Sequence, residues 1–161
     1  MKKLVYILED SKLVCELTKY TLESSYICEV VKFNKPQDLL LEMLRQPDLI
    51  ILDYFLEDGY SGLDVLTKLR KINKTVPVIF FSGQKDEEVR KHILRQGVQG
   101  YVDKSQENFL DELTKSIGNV LSIPTKFDLL NSYKGGISNA SKGIAGLISL
   151  TIFLSILLLI I

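Results

Sequence analysis

Residues 1–121 alternate five times between a short apolar run and a segment in which apolar side chains recur at helical spacing. Parallel strands need long crossover connections, usually helices, and these helices cover both faces of the sheet. The pattern therefore predicts an α/β domain, a doubly wound five-stranded parallel sheet. The predicted strands lie at residues 4–8, 27–31, 48–53, 76–81 and 100–103.

Polar side chains stand at the carboxyl ends of four of these predicted strands. Glu9 and Asp10 end the first strand, Asp53 ends the third, Ser82 ends the fourth, and Lys104 follows the fifth. Each has an ordinary explanation when taken alone, because Asp often caps a helix, Ser often lies in a turn and Lys is usually solvated. Ligands of open α/β sheets bind at this edge, so the five residues together indicate a functional site.

The chemistry of these residue types explains why they belong together. Three neighbouring carboxylates repel one another, and a hard divalent cation such as Mg²⁺ relieves that repulsion. A carboxylate can attack phosphorus to form an aspartyl phosphate, while a metal ion and a lysine ammonium neutralise the charge on the transferred oxygens. We therefore predict a magnesium-dependent site in which Asp53 is the phosphoacceptor and Lys104 binds the phosphoryl group.

With these residues in this order, residues 1 to about 121 resemble the response-regulator receiver domains of two-component signalling, in their single-domain, chemotaxis-regulator-like form. Glu9 and Asp10 match the acidic pair of the family, and Asp53 matches its phosphoacceptor. The resemblance implies a flavodoxin-like strand order of 2-1-3-4-5. It also implies a regulatory protein that is not an enzyme, beyond assisting its own phosphorylation and dephosphorylation.

The resemblance further assigns roles to single residues of the site. By this analogy Asp10, Asp53 and the backbone carbonyl of Phe55 bind Mg²⁺, and Glu9 acts through a water molecule. Lys104 matches the lysine of the family.

Two further residues match the switch of the family. Ser82 corresponds to its hydroxyl, which moves toward the phosphoryl oxygens, and Tyr101 to its aromatic residue, which then turns inward. The chain departs from the usual pattern at Ser105, where proline commonly follows the lysine, and at Glu57 in the loop after the phosphoacceptor.

Charge and cysteine content limit the partners. Lys plus Arg and Asp plus Glu number 20 each, so no net field favours nucleic acid, and none is expected as a partner. Cys15 and Cys28 lack the spacing of metal ligands and are expected to be buried thiols. The expected partners are a histidine kinase or phosphotransfer protein, an output protein that the sequence does not name, and a second copy in a weak homodimer.

The end of the chain differs sharply in composition. Residues 143–161 contain no charged side chain, and as a helix they would be about 28 Å long, close to the thickness of a bilayer core. They are predicted to form a transmembrane helix, with Lys134 and Lys142 keeping the receiver domain in the cytoplasm. Residues 122–142 contain glycines and polar residues that disfavour continuous secondary structure, which predicts a linker, with a short interfacial helix as the alternative.

The leading interpretation is thus a membrane-tethered phosphorylation switch. The first alternative is a receiver-like membrane adaptor that acts without phosphate, or a sink for phosphoryl groups. The second alternative is a magnesium-dependent phosphohydrolase with Asp53 as nucleophile. Such enzymes usually place an acid two residues after the nucleophile, and this chain has Phe55 there.

Overall fold

The structure, a computed structural model, describes residues 2–140. Five parallel strands form one sheet in the order β2-β1-β3-β4-β5. The strands are β1 (Lys3–Leu8), β2 (Cys28–Phe33), β3 (Leu49–Leu52), β4 (Val78–Ser82) and β5 (Gly100–Asp103). The helices are α1 (Lys12–Ser25), α2 (Pro36–Leu41), α3 (Gly62–Ile72), α4 (Glu87–Arg95), α5 (Phe109–Leu121) and α6 (Lys126–Ala140). The predicted parallel sheet and the strand order are confirmed.

Apolar side chains cover both faces of the sheet. Along β1, Tyr6 and Leu8 contact one layer, which includes residues of α2, α3 and α4. Val5 and Ile7 alternate with them and contact the other layer, which includes residues of α1 and α5. Because both faces are covered, the central strands β3 and β4 are buried along their whole length, and polar chemistry in this part of the sheet is placed at the strand ends.

Both cysteines lie in the second of these layers. Cys15 of α1 and Cys28 of β2 are buried free thiols, and burial raises the pKa of each to about 11. A thiol with such a raised pKa is protonated at neutral pH and is a poor nucleophile and metal ligand. The predicted structural role of the cysteines is confirmed.

Most of the predicted linker is helical in the part that the structure describes. Helix α6 spans Lys126–Ala140, and its first turn is capped by Thr125 and Asp128, whose side chains accept each other's backbone N–H at 3.0 Å. The Lys126 ammonium donates to the carbonyl oxygen of Glu23 at 2.9 Å and thus fixes the start of α6 to the end of α1. Of the two alternatives for this segment, the described residues show a helix, and it extends further than a single short turn.

The predicted membrane location is corrected. Within residues 2–140, the structure contains no helix whose length and apolar character would let it cross a bilayer. This finding contradicts the expected single-pass membrane protein, and the function proposed below includes no membrane anchor. The segment 143–161, to which the transmembrane helix was assigned, lies outside the described residues.

Candidate functional site

Three strands bring their terminal residues together at the carboxyl edge of the sheet. Glu9 follows β1 and is 3% exposed, and Asp53 follows β3 and is 6% exposed. The Asp53 amide donates to the carbonyl oxygen of Leu8 at 3.0 Å, which extends the pairing of β1 and β3 up to the two acidic residues. Lys104 follows β5, and its amide donates to the carbonyl oxygen of Ser82 at 3.1 Å. The register of the sheet therefore determines how far apart Glu9, Asp53 and Lys104 lie.

The Lys104 side chain connects the carboxylates. Its ammonium donates to Oδ2 of Asp53 at 2.6 Å and also to Oε2 of Glu9. The same ammonium lies 5.0 Å from the centroid of the Phe81 ring, a contact that was not predicted from the sequence. In this arrangement the lysine is the counter-ion of both buried carboxylates.

Burial controls the electrostatics of the site. Desolvation raises the pKa of Glu9, and the nearby negative charge of Asp53 adds to this effect. The hydrogen bond and the charge of Lys104 act in the opposite direction, as does the Ser11 amide, which donates to Oε1 of Glu9 at 3.1 Å. The pKa of Glu9 remains raised, so a further positive charge nearby would stabilise its ionised form.

The donor set fits a small divalent cation. Glu9, Asp10 and Asp53 each offer one carboxylate oxygen, and these oxygens lie within 4.8 Å of one another. Rotation of the carboxylate side chains could bring oxygens at this separation onto one small cation. Hard carboxylate oxygens are also the ligand type that Mg²⁺ prefers. The structure thus brings together the three predicted acidic residues in a metal-compatible cluster.

The two predicted switch residues lie beside this cluster. Ser82 is fully buried, pairs in register with Asp103 of β5, and its Oγ makes no hydrogen bond to any residue between 2 and 140. Tyr101 is half-buried, and its hydroxyl donates to the carbonyl oxygen of Gln84 at 2.9 Å. Burial raises the pKa of Tyr101, so the phenol remains protonated and able to donate at neutral pH.

The loop after β3 surrounds Asp53. Phe55, the predicted carbonyl ligand, donates its amide to Oδ1 of Asp53 at 3.3 Å, and its side chain is 53% exposed. Gly62, the first residue of α3, lies so close that a Cβ there would be 2.3 Å from the carbonyl oxygen of Asp53. This contact was not predicted from the sequence. The one local feature that indicates it is a glycine directly after Ser61, the capping residue of α3.

We expect Lys104→Ala to lower the free energy of unfolding by about 1–3 kcal/mol, because two buried carboxylates lose their cation. Lys91→Ala is the matched control, since it removes an exposed lysine that pairs with Glu88 at 2.9 Å. Exposed pairs of this kind contribute less than about 1 kcal/mol. Chemical denaturation of both variants at neutral pH without divalent cations measures the difference. Equal decreases in the free energy of unfolding of the two variants would contradict the role of Lys104 as counter-ion of Glu9 and Asp53.

A comparison with family models identifies this arrangement. Residues 5–117 match the model for the response regulator receiver domain. Among curated relatives, the transcriptional regulatory protein MalR of Bacillus subtilis is 34% identical over 105 residues, which are 64% of this chain and 44% of that protein. The probable transcriptional regulatory protein SgaR of Hyphomicrobium methylovorum is 31% identical over 99 residues, or 59% of this chain and 46% of that protein. The chain therefore spans less than half the length of these relatives.

Solved structures show the same fold. The receiver domain of a LuxO repressor protein from Vibrio parahaemolyticus superposes with a TM-score of 0.68 at 24% identity, covering 76% of this chain and 92% of that one. The phosphorylated cyanobacterial phytochrome response regulator RcpA gives a TM-score of 0.64 at 26% identity and covers 78% of this chain and 99% of that one. The family model matches well over half of the sequence and includes all three carboxylates and the lysine, and the chain belongs to the response regulator receiver domain family.

Proposed function

We propose that this chain is a phosphorylation-dependent signalling switch that accepts a phosphoryl group on Asp53 from a histidine kinase or phosphotransfer protein. One observation supports this above all others. A buried carboxylate, Asp53, lies in contact with a lysine ammonium and within 4.8 Å of two further carboxylates. Such a set is stable only with cations, and it becomes complete when a divalent metal ion and a phosphoryl group bind.

The proposed reaction is a displacement at phosphorus. A carboxylate oxygen of Asp53 forms the new P–O bond as the P–N bond of the donor phosphohistidine breaks and its imidazole leaves with the electron pair. Lys104, already at 2.6 Å from Asp53, neutralises charge on the transferred oxygens. Asp10, Asp53 and the Phe55 carbonyl would hold Mg²⁺, with Glu9 acting through water, and the ion would supply further neutralisation of that charge.

The response of the domain is proposed to start at Ser82. Its buried Oγ has no hydrogen-bond partner within residues 2–140, and a phosphoryl oxygen on Asp53 is an acceptor that it could meet. The resulting shift of the loop after β4 would change the position of Tyr101 and the surface formed by α4, β5 and α5. Binding of an output protein to that surface would then depend on the population of the two arrangements. The receiver unit in this proposal comprises residues 1–121.

The proposal is tested by incubating the full chain with Mg²⁺ and a small-molecule phosphoryl donor. Intact-mass spectrometry should detect one added phosphoryl group, and chelation of Mg²⁺ should prevent its addition. A chain that gains no phosphoryl group from either a small donor or a phosphorylated histidine phosphotransfer protein would overturn the proposal.

Asp10→Asn should weaken Mg²⁺ binding by at least about ten-fold, because it removes one of the few charged ligands while it retains the shape of the side chain. Asp111→Asn is the control, since Asp111 is an exposed carboxylate in the first turn of α5, outside the acidic cluster. Titration calorimetry with Mg²⁺ measures both variants. An unchanged Mg²⁺ affinity in Asp10→Asn would exclude this residue from the metal site.

A further inference from the structure

Arg90 of α4 contacts Tyr101 of β5. The Arg90 guanidinium lies over the Tyr101 ring, 5.0 Å from its centroid, and a cation in this position is attracted by the negative face of the ring. The Tyr101 hydroxyl donates to the carbonyl oxygen of Gln84, which lies in the loop that leads into α4. We call Arg90, Tyr101 and the Gln84 carbonyl the clasp, because they join the start and the middle of α4 to β5.

The other contacts of Arg90 are weak. Its ion pair with Glu87 on the same helix is 4.0 Å long, and both side chains are largely exposed. Pairs of this kind stabilise little. On the β5 side, hydrogen bonds from Ser105 lower the pKa of Asp103, and the charge of Arg90 lowers it further. The ring and this carboxylate therefore both favour a guanidinium directed toward β5.

Helix α4 is held to the sheet by few contacts. Ile93 is its only fully buried residue. The loop before it contains Gly83, where an added Cβ would have no atom within 4 Å. Val89 is partly buried against the core as well, and the clasp adds a polar contact to these two apolar ones.

The clasp also lies close to the backbone of the phosphoacceptor site. The carbonyl oxygen of Ser82 accepts the amide of Lys104 at 3.1 Å and the hydroxyl of Tyr101 at 3.4 Å. The Ser82 carbonyl group thus links Tyr101 to Lys104, which in turn donates to Asp53. A phosphoryl group that holds the Ser82 backbone in this position would therefore also favour the hydrogen bonds of Tyr101.

We infer that Arg90 is a positioning residue for Tyr101, whose stacked guanidinium holds the ring where its hydroxyl reaches Gln84 and thereby fixes α4 against β5. The link from the clasp to Asp53 rests on the proposed function. In this inference the arrangement with the closed clasp is the one that binds a phosphoryl group more tightly, so the apparent affinity for that group is proportional to the population of this arrangement. Arg90 therefore sets how readily the site responds to a phosphoryl group.

The first experiment needs no phosphoryl ligand. In the full chain with ¹³C-labelled tyrosine rings, Tyr101→Phe assigns the Tyr101 resonances in NMR spectra. Arg90→Ala should shift these resonances toward the values of an exposed ring, and Arg90→Lys should give an intermediate shift, since an ammonium keeps the charge but not the planar stack. Arg95→Ala, which removes the same charge from the last turn of the same helix, should leave them unchanged.

The second experiment measures the binding of beryllofluoride, a phosphoryl mimic, to the chain in the presence of Mg²⁺. Arg90→Ala should raise its half-saturation concentration about two- to five-fold, the range expected for loss of one partly exposed cation–π contact. In a Tyr101→Ala background, Arg90→Ala should cause no further rise, because the ring through which it acts is absent. Thermal unfolding confirms that each variant is folded.

The two experiments test the role of the clasp and the proposed function separately. Unchanged Tyr101 resonances in Arg90→Ala would overturn the inference, as would an equal rise in half-saturation with and without the Tyr101 ring. Failure of the wild-type chain to bind beryllofluoride would overturn the proposed function, and the NMR experiment would still decide whether Arg90 positions Tyr101.

Discussion

Asp53→Asn is expected to reduce phosphoryl uptake to background, the largest functional effect of any single substitution considered. The amide keeps the size of the side chain and can accept the hydrogen bond from Lys104, which is 2.6 Å long in the wild type. It has no ionised oxygen, however, and therefore cannot act as the nucleophile. Intact-mass spectrometry after incubation with Mg²⁺ and a small phosphoryl donor measures the loss.

Asp103→Asn is a stringent control for this experiment. Asp103 is also an acidic residue at a strand end, directly before Lys104, but it accepts the Ser105 amide at 2.8 Å and is not part of the metal-compatible cluster. Its variant should be labelled as fully as the wild type. Labelling of Asp53→Asn at the wild-type level would show that another group is the acceptor.

Gly62→Ala should produce a large loss of stability. The added Cβ would lie 2.3 Å from the carbonyl oxygen of Asp53 and 2.8 Å from the Phe80 ring. The two backbones cannot easily separate, because the Gly62 amide donates to Tyr54 at 2.8 Å and the Asp53 amide is bonded to β1. Overpacking of this kind costs about 1–3 kcal/mol or more, and the displaced backbone should also slow phosphoryl uptake.

Gly83→Ala is the matched control for Gly62→Ala. No atom lies within 4 Å of the Cβ that would be added there, and its φ lies outside the left-handed region. Its free energy of unfolding should be higher than that of the wild type by no more than about 1 kcal/mol. Denaturant unfolding of the two variants tests the contrast. A Gly62→Ala variant as stable as the wild type would show that the loop can move away at little cost.

The fold and most of the site were predictable because they depend on local pattern. Apolar runs separated by helical segments require parallel pairing, and parallel pairing places every carboxyl strand end at one edge. The convergence of Glu9, Asp53 and Lys104 follows from this rule without knowledge of any side-chain position. The roles of these residues in phosphoryl transfer, by contrast, stay predictions until they are measured.

The features that were missed depend on packing between segments distant in sequence. The stacking of Arg90 on Tyr101 depends on how α4 lies against β5, which no spacing rule specifies. The close approach of Gly62 to Asp53 depends on the path of an irregular loop. The extent of helix α6 depends on a different feature, the cap formed by the side chains of Thr125 and Asp128, which precedes the glycines in the sequence.

Among the described residues 2–140 the buried Ser82 hydroxyl has no hydrogen-bond partner, and this has an energetic consequence. A buried donor without an acceptor costs the folded protein about 1–3 kcal/mol. If a phosphoryl oxygen arrives on Asp53, that cost is recovered, so part of the driving force for rearrangement is already stored in the unmodified domain. Ser82→Ala would remove the buried hydroxyl, and with it both this cost in the unmodified domain and the proposed gain on phosphorylation.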